Sequence, residues 1–207
     1  MQFHAFVYLA SQSPRRAQLL GQIGVQHQLL LPDAAEDAES LEALVPGEAP
    51  ADYVQRVTAA KLRAAVARLR QRGLPPAPIL CADTTVALGR RVLGKPADAG
   101  EAQQTLQALS GRSHRVLTAV AVASASGRQR WQALSVSRVR LAPLPASVVD
   151  AYVASGEPFG KAGAYAIQGA LAGWITQIQG SHSGIVGLPL HETAALLRQA
   201  RVQQALG

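Results

Sequence analysis

Phe6-Val7-Tyr8-Leu9-Ala10-Ser11 runs through Gln12 into Ser13-Pro14-Arg15-Arg16, and this junction decides the fold class. The apolar run is rich in β-formers and reads as a strand. The next residues read as a helix: Ser13 is a good N-cap, Pro14 suits the first helical position, and Gly24 offers a stop. Leu19, Leu20 and Ile23 supply its buried stripe. The odd feature is the arginine pair in the first turn. Backbone N–H groups already make that end positive, so two cations there are unfavourable unless an anion sits with them. A strand feeding such a helix looks like a phosphate seat, against the plainer reading of two solvated arginines.

Working outward, His27-Gln28-Leu29-Leu30-Leu31 reads as a second strand, and the acidic span Asp33 to Pro50 as a loop. Ala51 to Arg72 reads as a long helix with Tyr53, Val57, Leu62, Val66 and Leu69 near one face. Pro78 to Leu88 is a buried strand, and Gly89 to Gly94 a hairpin return. Asp98 opens a helix with Glu101 three residues on, the start of a capping box. Two strands come next, joined across residues 124–129, and a flip in apolar phase between Val136 and Val139 predicts a β-bulge or a strong twist. A short helix from Pro145 to Ser155, a strand from Leu171 to Ile178 and a closing helix from Pro189 complete the chain. Strands and helices alternate early while hairpins come late, which predicts an α/β fold: a mixed, twisted sheet flanked by helices, with a cleft.

The length of 207 residues suits one domain, taken as 1–207, and a 48% hydrophobic composition is enough for a real interior. No apolar run is long enough to span a bilayer, and the N-terminus lacks the basic region and cleavage site of a signal peptide. A single cysteine, Cys81, fits a reducing compartment, so a soluble cytoplasmic protein is expected. The formal charge of +7 invites a nucleic-acid partner, but with 4% aromatic residues no basic run carries stacking rings. A positive cleft for a small polyanion accounts for the charge without one. Only Lys61, Lys95 and Lys161 are lysines among 20 basic residues, which draws attention to all three. A compact ammonium suits a tight site that a planar guanidinium does not.

Asp83 follows the apolar run Ile79-Leu80-Cys81-Ala82. A carboxylate ending a buried strand needs a cation, a metal or a proton beside it. It can act as general base on a water, ligate a divalent ion, or simply close a turn. Gly94-Lys95-Pro96 fixes the backbone around a lysine and aims its ammonium. Lys161 opens a segment of small residues that ends at Gln168, whose amide can pair with the N3–H and carbonyl edge of uracil or thymine. His4, His27, His114, His182 and His191 lack metal-ligand spacing. Gly-x-Ser-x-Gly, P-loop and dinucleotide signatures are all missing, so an anion site must be built from dispersed cations and helix ends.

Taken together, Leu9–Leu20, the Arg56-to-Lys61 segment, Cys81–Val86, Leu93–Pro96, Leu109–Val122, Ser155–Gly169 and Ile185–Thr193 resemble the Maf family of nucleoside triphosphate pyrophosphatases, in order and over nearly the whole chain. The resemblance implies a Maf/ITPase-like fold with a deep cleft between two lobes, and hydrolysis of a nucleotide to its monophosphate and pyrophosphate. It implies Asp83 as the catalytic proton acceptor, and Arg15, Thr84 and Gln168 as positions linked to substrate choice. Ser13, Arg16, Lys61 and Lys95 match polar positions around the triphosphate, and Glu36 an acid that joins Asp83 on a divalent metal, Mg²⁺ or Mn²⁺. Asp83-Thr84 with the Ala162–Gly169 segment is similar to the dTTP/UTP branch, whereas the methylated-GTP branch shows Asp-Gln. Ala60, His182 and Gly184 depart from the family pattern. The resemblance also implies a homodimer, and it leaves a regulatory binding role in septum formation as the other class of function.

Overall fold

β1 (Val7–Leu9), α1 (Pro14–Gln22) and β2 (His27–Leu29) form a strand-helix-strand unit in the computed structural model, as the opening junction predicts. The structure describes residues 3–33, 36 and 40–206; the parts of the expected acidic loop at 34, 35 and 37–39 lie outside the described residues. α2 (Pro50–Gln71) comes next, then β3 (Ile79–Leu88), β4 (Arg91–Leu93) and α3 (Ala99–Leu109). β5 (Ser113–Ala123), β6 (Arg130–Leu141) and α4 (Ala146–Ala154) precede β7 (Ile175–Gln179), α5 (His182–Val186) and α6 (Leu190–Gln199). The sheet order is β2-β1-β3-β5-β6-β7, with β4 paired to β3. β1 is parallel to β2 and β3, and the other pairings are antiparallel, so the sheet is mixed as expected.

Helices cover both faces. α2 lays Leu62, Val66 and Leu69 against Tyr8, Ile79 and Cys81, and Tyr53, Val54 and Val57 against Leu117 and Ala119. The five apolar positions expected on one side of this helix are all buried. On the opposite face Leu9, Leu80, Val120 and Val122 pack with Leu20, Leu106, Leu109, Val149 and Leu197. Asp98 caps α3 by accepting from the Glu101 N–H at 2.8 Å, and the Glu101 carboxylate returns to the Ala97 N–H at the same distance.

Four expectations change. Ser13 occupies the N-cap position of α1, but its hydroxyl makes no capping bond. The acidic span is not all loop, since Ser40–Glu42 form one 3₁₀ turn. The final strand is shorter, because Ala170–Trp174 form a 3₁₀ helix and only Ile175–Gln179 pair with β6. No bulge separates Val136 from Val139: the β5–β6 register is unbroken from Ser113↔Arg140 to Ala123↔Arg130. Ser135 and Ser137 take the buried side and leave Val136 exposed. Burial of Ser137 is stabilised because its hydroxyl donates to the Ser181 carbonyl and accepts from the Ser181 N–H.

β1 and β4 share one edge of β3 without meeting. Along β3, pairing with β1 ends at Leu80 and pairing with β4 starts at Val86. Residues 81–85 therefore pair with β5 alone, and the sheet is open beside them. Side chains alternate along a strand, so Asp83 and Thr84 point to opposite faces, yet both reach the space at this open edge.

His114 on β5 is 2% exposed and its Nε2 lies 2.7 Å from the Tyr165 hydroxyl. Burial pushes its pKa down to about 4. The unfolded chain takes up this proton first as pH falls below about 6.5, so folding stability drops from there to about pH 4. That single group accounts for about 3 kcal/mol across the window. Denaturant melts at pH 7.5 and 4.5 should show this component in the wild type, and His114→Gln should lose it.

Candidate active site

Lys61 projects from α2 toward the open edge of β3, and two carboxylates meet it there. Its Nζ is 2.5 Å from Asp83 Oδ1 and 2.7 Å from Glu42 Oε1. The second oxygen of Glu42 accepts from Lys95 Nζ at 3.0 Å. Asp83, Lys61, Glu42 and Lys95 thus form one line of alternating charge across the cleft. Burial alone would push the Lys61 ammonium down, but Asp83 and Glu42 hold it above the usual lysine value. Burial likewise pushes the Glu42 carboxyl up, and Lys61 and Lys95 outweigh that and keep it below the usual range. Lys61 and Glu42 are therefore both charged at neutral pH.

A second network stands on the other face of β3. Arg16 donates from Nε to the Gly187 carbonyl at 2.8 Å, from Nη1 to Ser11 Oγ at 2.9 Å, and from Nη2 to Thr84 Oγ1 at 3.3 Å. Thr118 spends its hydroxyl proton on the Gly184 carbonyl at 2.7 Å, so in the 3.0 Å contact between the two threonines Thr84 is the donor. Proton direction is thereby fixed from Arg16 through Thr84 and Thr118. Arg16 serves to join α1, β3 and the end of α5, while Arg15 and Ser13 line the cleft beside it.

Gln168 lies on the far wall with Lys161, and the turn before it explains how it gets there. Gly163 has φ +71°, and a Cβ at this position would lie 2.8 Å from a Val86 methyl. Its N–H donates to the Gly94 carbonyl at 3.0 Å, which docks the 161–168 segment against the loop carrying Lys95. The space between these walls measures about 890 Å³, within the range of small-molecule clefts.

Ser13, Arg15, Arg16, Lys61, Asp83, Thr84, Lys95 and Gln168 all line this cleft, and so does Glu36, but Glu36 does not join Asp83 as expected. Its two oxygens take the Arg68 guanidinium, Nε at 2.7 Å and Nη2 at 2.6 Å, while Arg68 Nη1 holds the Leu30 carbonyl. The acid that shares Lys61 with Asp83 is Glu42, which sequence reading missed. The signal was a spacing. Glu36, Glu42 and Glu48 recur every six residues and meet Arg68, Lys61 and Arg56 in reverse order along α2.

Among the described residues no three His, Cys, Asp or Glu side chains cluster to hold a metal ion. A hard divalent cation does not require such a cage when a phosphate ligand arrives with it. One or two carboxylates plus phosphate oxygens suffice, and Asp83 and Glu42 are two carboxylates drawn to one ammonium.

Residues 6–200 match the family described as Maf-like protein. A dTTP/UTP pyrophosphatase of Polaromonas sp. is 64% identical over 195 residues, covering 94% of this chain and 96% of the relative. A protein of the same name from Albidiferax ferrireducens is 60% identical over 193 residues, covering 93% and 96%. Another from Cupriavidus pinatubonensis is 58% identical over 200 residues, covering 97% and 99%.

Because Arg68 is buried and Glu36 supplies its only anionic partner among the described residues, Glu36→Gln should destabilise the fold by about 1–3 kcal/mol. Urea unfolding at pH 7 measures this. An unchanged midpoint and slope would show that the pair contributes nothing.

Proposed function

The chain belongs to the Maf family, and on that footing we propose that it hydrolyses dTTP and UTP to the nucleoside monophosphate and pyrophosphate. The observation that carries this reading is the Asp83–Lys61–Glu42–Lys95 charge line inside a nucleotide-sized cleft. Hydrolysis of a triphosphate needs cations for its tail and one carboxylate beside the reacting phosphorus, and the cleft offers both.

Lys61, Lys95 and Arg15 offset the charge of the triphosphate, and Ser13, whose hydroxyl makes no capping bond, adds a donor at the phosphate end. Asp83 and Glu42 would hold a divalent cation, Mg²⁺ or Mn²⁺, which would supply further charge neutralisation at the phosphates. Asp83 Oδ1 is engaged by Lys61, which leaves Oδ2 to orient a water and take its proton. The water oxygen forms a bond to the α-phosphorus while the bond from that phosphorus to the α,β-bridging oxygen breaks, and pyrophosphate leaves with the electron pair. Gln168 reads the pyrimidine: its amide N–H donates to a ring carbonyl and its carbonyl accepts from N3–H.

Asp83→Ala should lower kcat by about 10²–10⁴-fold with UTP while nucleotide binding stays measurable by calorimetry. Wild-type turnover in that variant removes Asp83 from the role. In ¹⁸O-labelled water the label should enter the monophosphate and not pyrophosphate; label in pyrophosphate would place attack at the β-phosphorus. Across a panel of triphosphates, kcat/KM should favour dTTP and UTP over methylated GTP, and Gln168→Ala should erode that preference. A preference unchanged in Gln168→Ala assigns the base reading elsewhere, and no hydrolysis of any member leaves the regulatory binding role.

A further inference from the structure

Glu42 belongs to a single 3₁₀ turn, Ser40–Glu42, with no buried residue of its own. A turn so short has weak internal hydrogen bonding and cannot by itself hold a carboxylate between two lysines. The hold comes from the side of α2. Tyr53 donates its hydroxyl to the Glu42 carbonyl at 2.9 Å. Arg56, three residues on along the same helix face, donates from Nη2 to the next carbonyl, that of Ala43, at 2.8 Å. The same guanidinium takes both oxygens of Glu48, Nε to Oε1 at 2.7 Å and Nη2 to Oε2 at 2.8 Å, and lies 5.5 Å from the centre of the Tyr53 ring. Two successive carbonyls and the far end of the loop are thereby tied to one patch of α2. Neither Tyr53 nor Arg56 lines the cleft.

We infer that Arg56 is a positioning residue for the reaction, fixing with Tyr53 the loop that presents Glu42 to Lys61 and Lys95. The inference rests on the proposed part of Glu42 in holding the divalent cation. Arg56 offers several N–H groups in a fixed plane, and the structure uses that plane for a carboxylate and a carbonyl at once.

A double-mutant cycle tests the inference. Arg56→Ala should lower kcat with UTP and Mg²⁺ on the order of 10-fold, since a misplaced carboxylate loses most of its effect, and should weaken Mn²⁺ binding to the protein without nucleotide, read by calorimetry. In a Glu42→Gln background the same change should alter kcat by less than about 2-fold, because the group it positions is already disabled. Arg56→Lys, which cannot serve all three oxygens in one plane, should restore only part of the loss. Should Arg56→Ala fold poorly, Tyr53→Phe deletes one hydroxyl and should show the same dependence on Glu42 at smaller size. Losses that multiply in the double variant, or wild-type kcat in both Arg56→Ala and Tyr53→Phe beside a crippled Glu42→Gln, overturn the inference alone. Full activity of Glu42→Gln overturns the role of Glu42 first, and this inference with it.

Discussion

One ammonium, that of Lys61, sits where two carboxylates would otherwise repel each other. Removed from most of the solvent, it is stable only because Asp83 and Glu42 face it, and they are stable so close together only because it stands between them. Much of the surrounding structure depends on this mutual requirement. α2 must run past the open edge of β3 to bring Lys61 to Asp83. The acidic loop must fold back along the same helix to bring Glu42 from the other side. Lys95 then closes the line on the outer oxygen of Glu42, so that within the line two ammoniums face two carboxylates.

The sheet supplies the space. An interior strand normally has both edges satisfied, but β3 shares one edge between a strand that stops early and a strand that starts late. The gap lets residues on opposite faces of one strand serve one cleft. Asp83 works with the loop and α2, while Thr84 is locked into the Arg16 and Thr118 network that fastens α1 to the far end of the chain. The first network carries charge and the second carries rigidity.

Periodicity and turn chemistry made most of the elements legible. The buried stripe of α2, the Asp98–Glu101 cap and the β3–β4 return obey local rules, because each depends on residues within a few positions of one another. The errors came where a distant segment intervened. Val136 and Val139 suggest a bulge only if serine is assumed to face water. Ser137 instead finds both its partners on the Ser181 main chain, which the local pattern cannot reveal. Trp174 and its neighbours, read as strand, form a 3₁₀ helix, and β6 pairs only from Ile175 onward.

The sequence alone determined which residue types the cleft holds. An acid at the end of an apolar run, arginines at a helix start and lysines rare among arginines are each costly or unusual without a partner, and the structure brings all of them to one cleft. Which loop acid joins Asp83 was beyond its reach. Glu36 and Glu42 stand in the same acidic stretch, and each has a cation within reach on α2. Only the lie of that loop along the helix, six residues of loop to each cation, sends Glu36 to Arg68 and Glu42 to Lys61. Charge is written in the composition, whereas the pairing of charges depends on distances that exist only once α2, the loop and β3 have packed together.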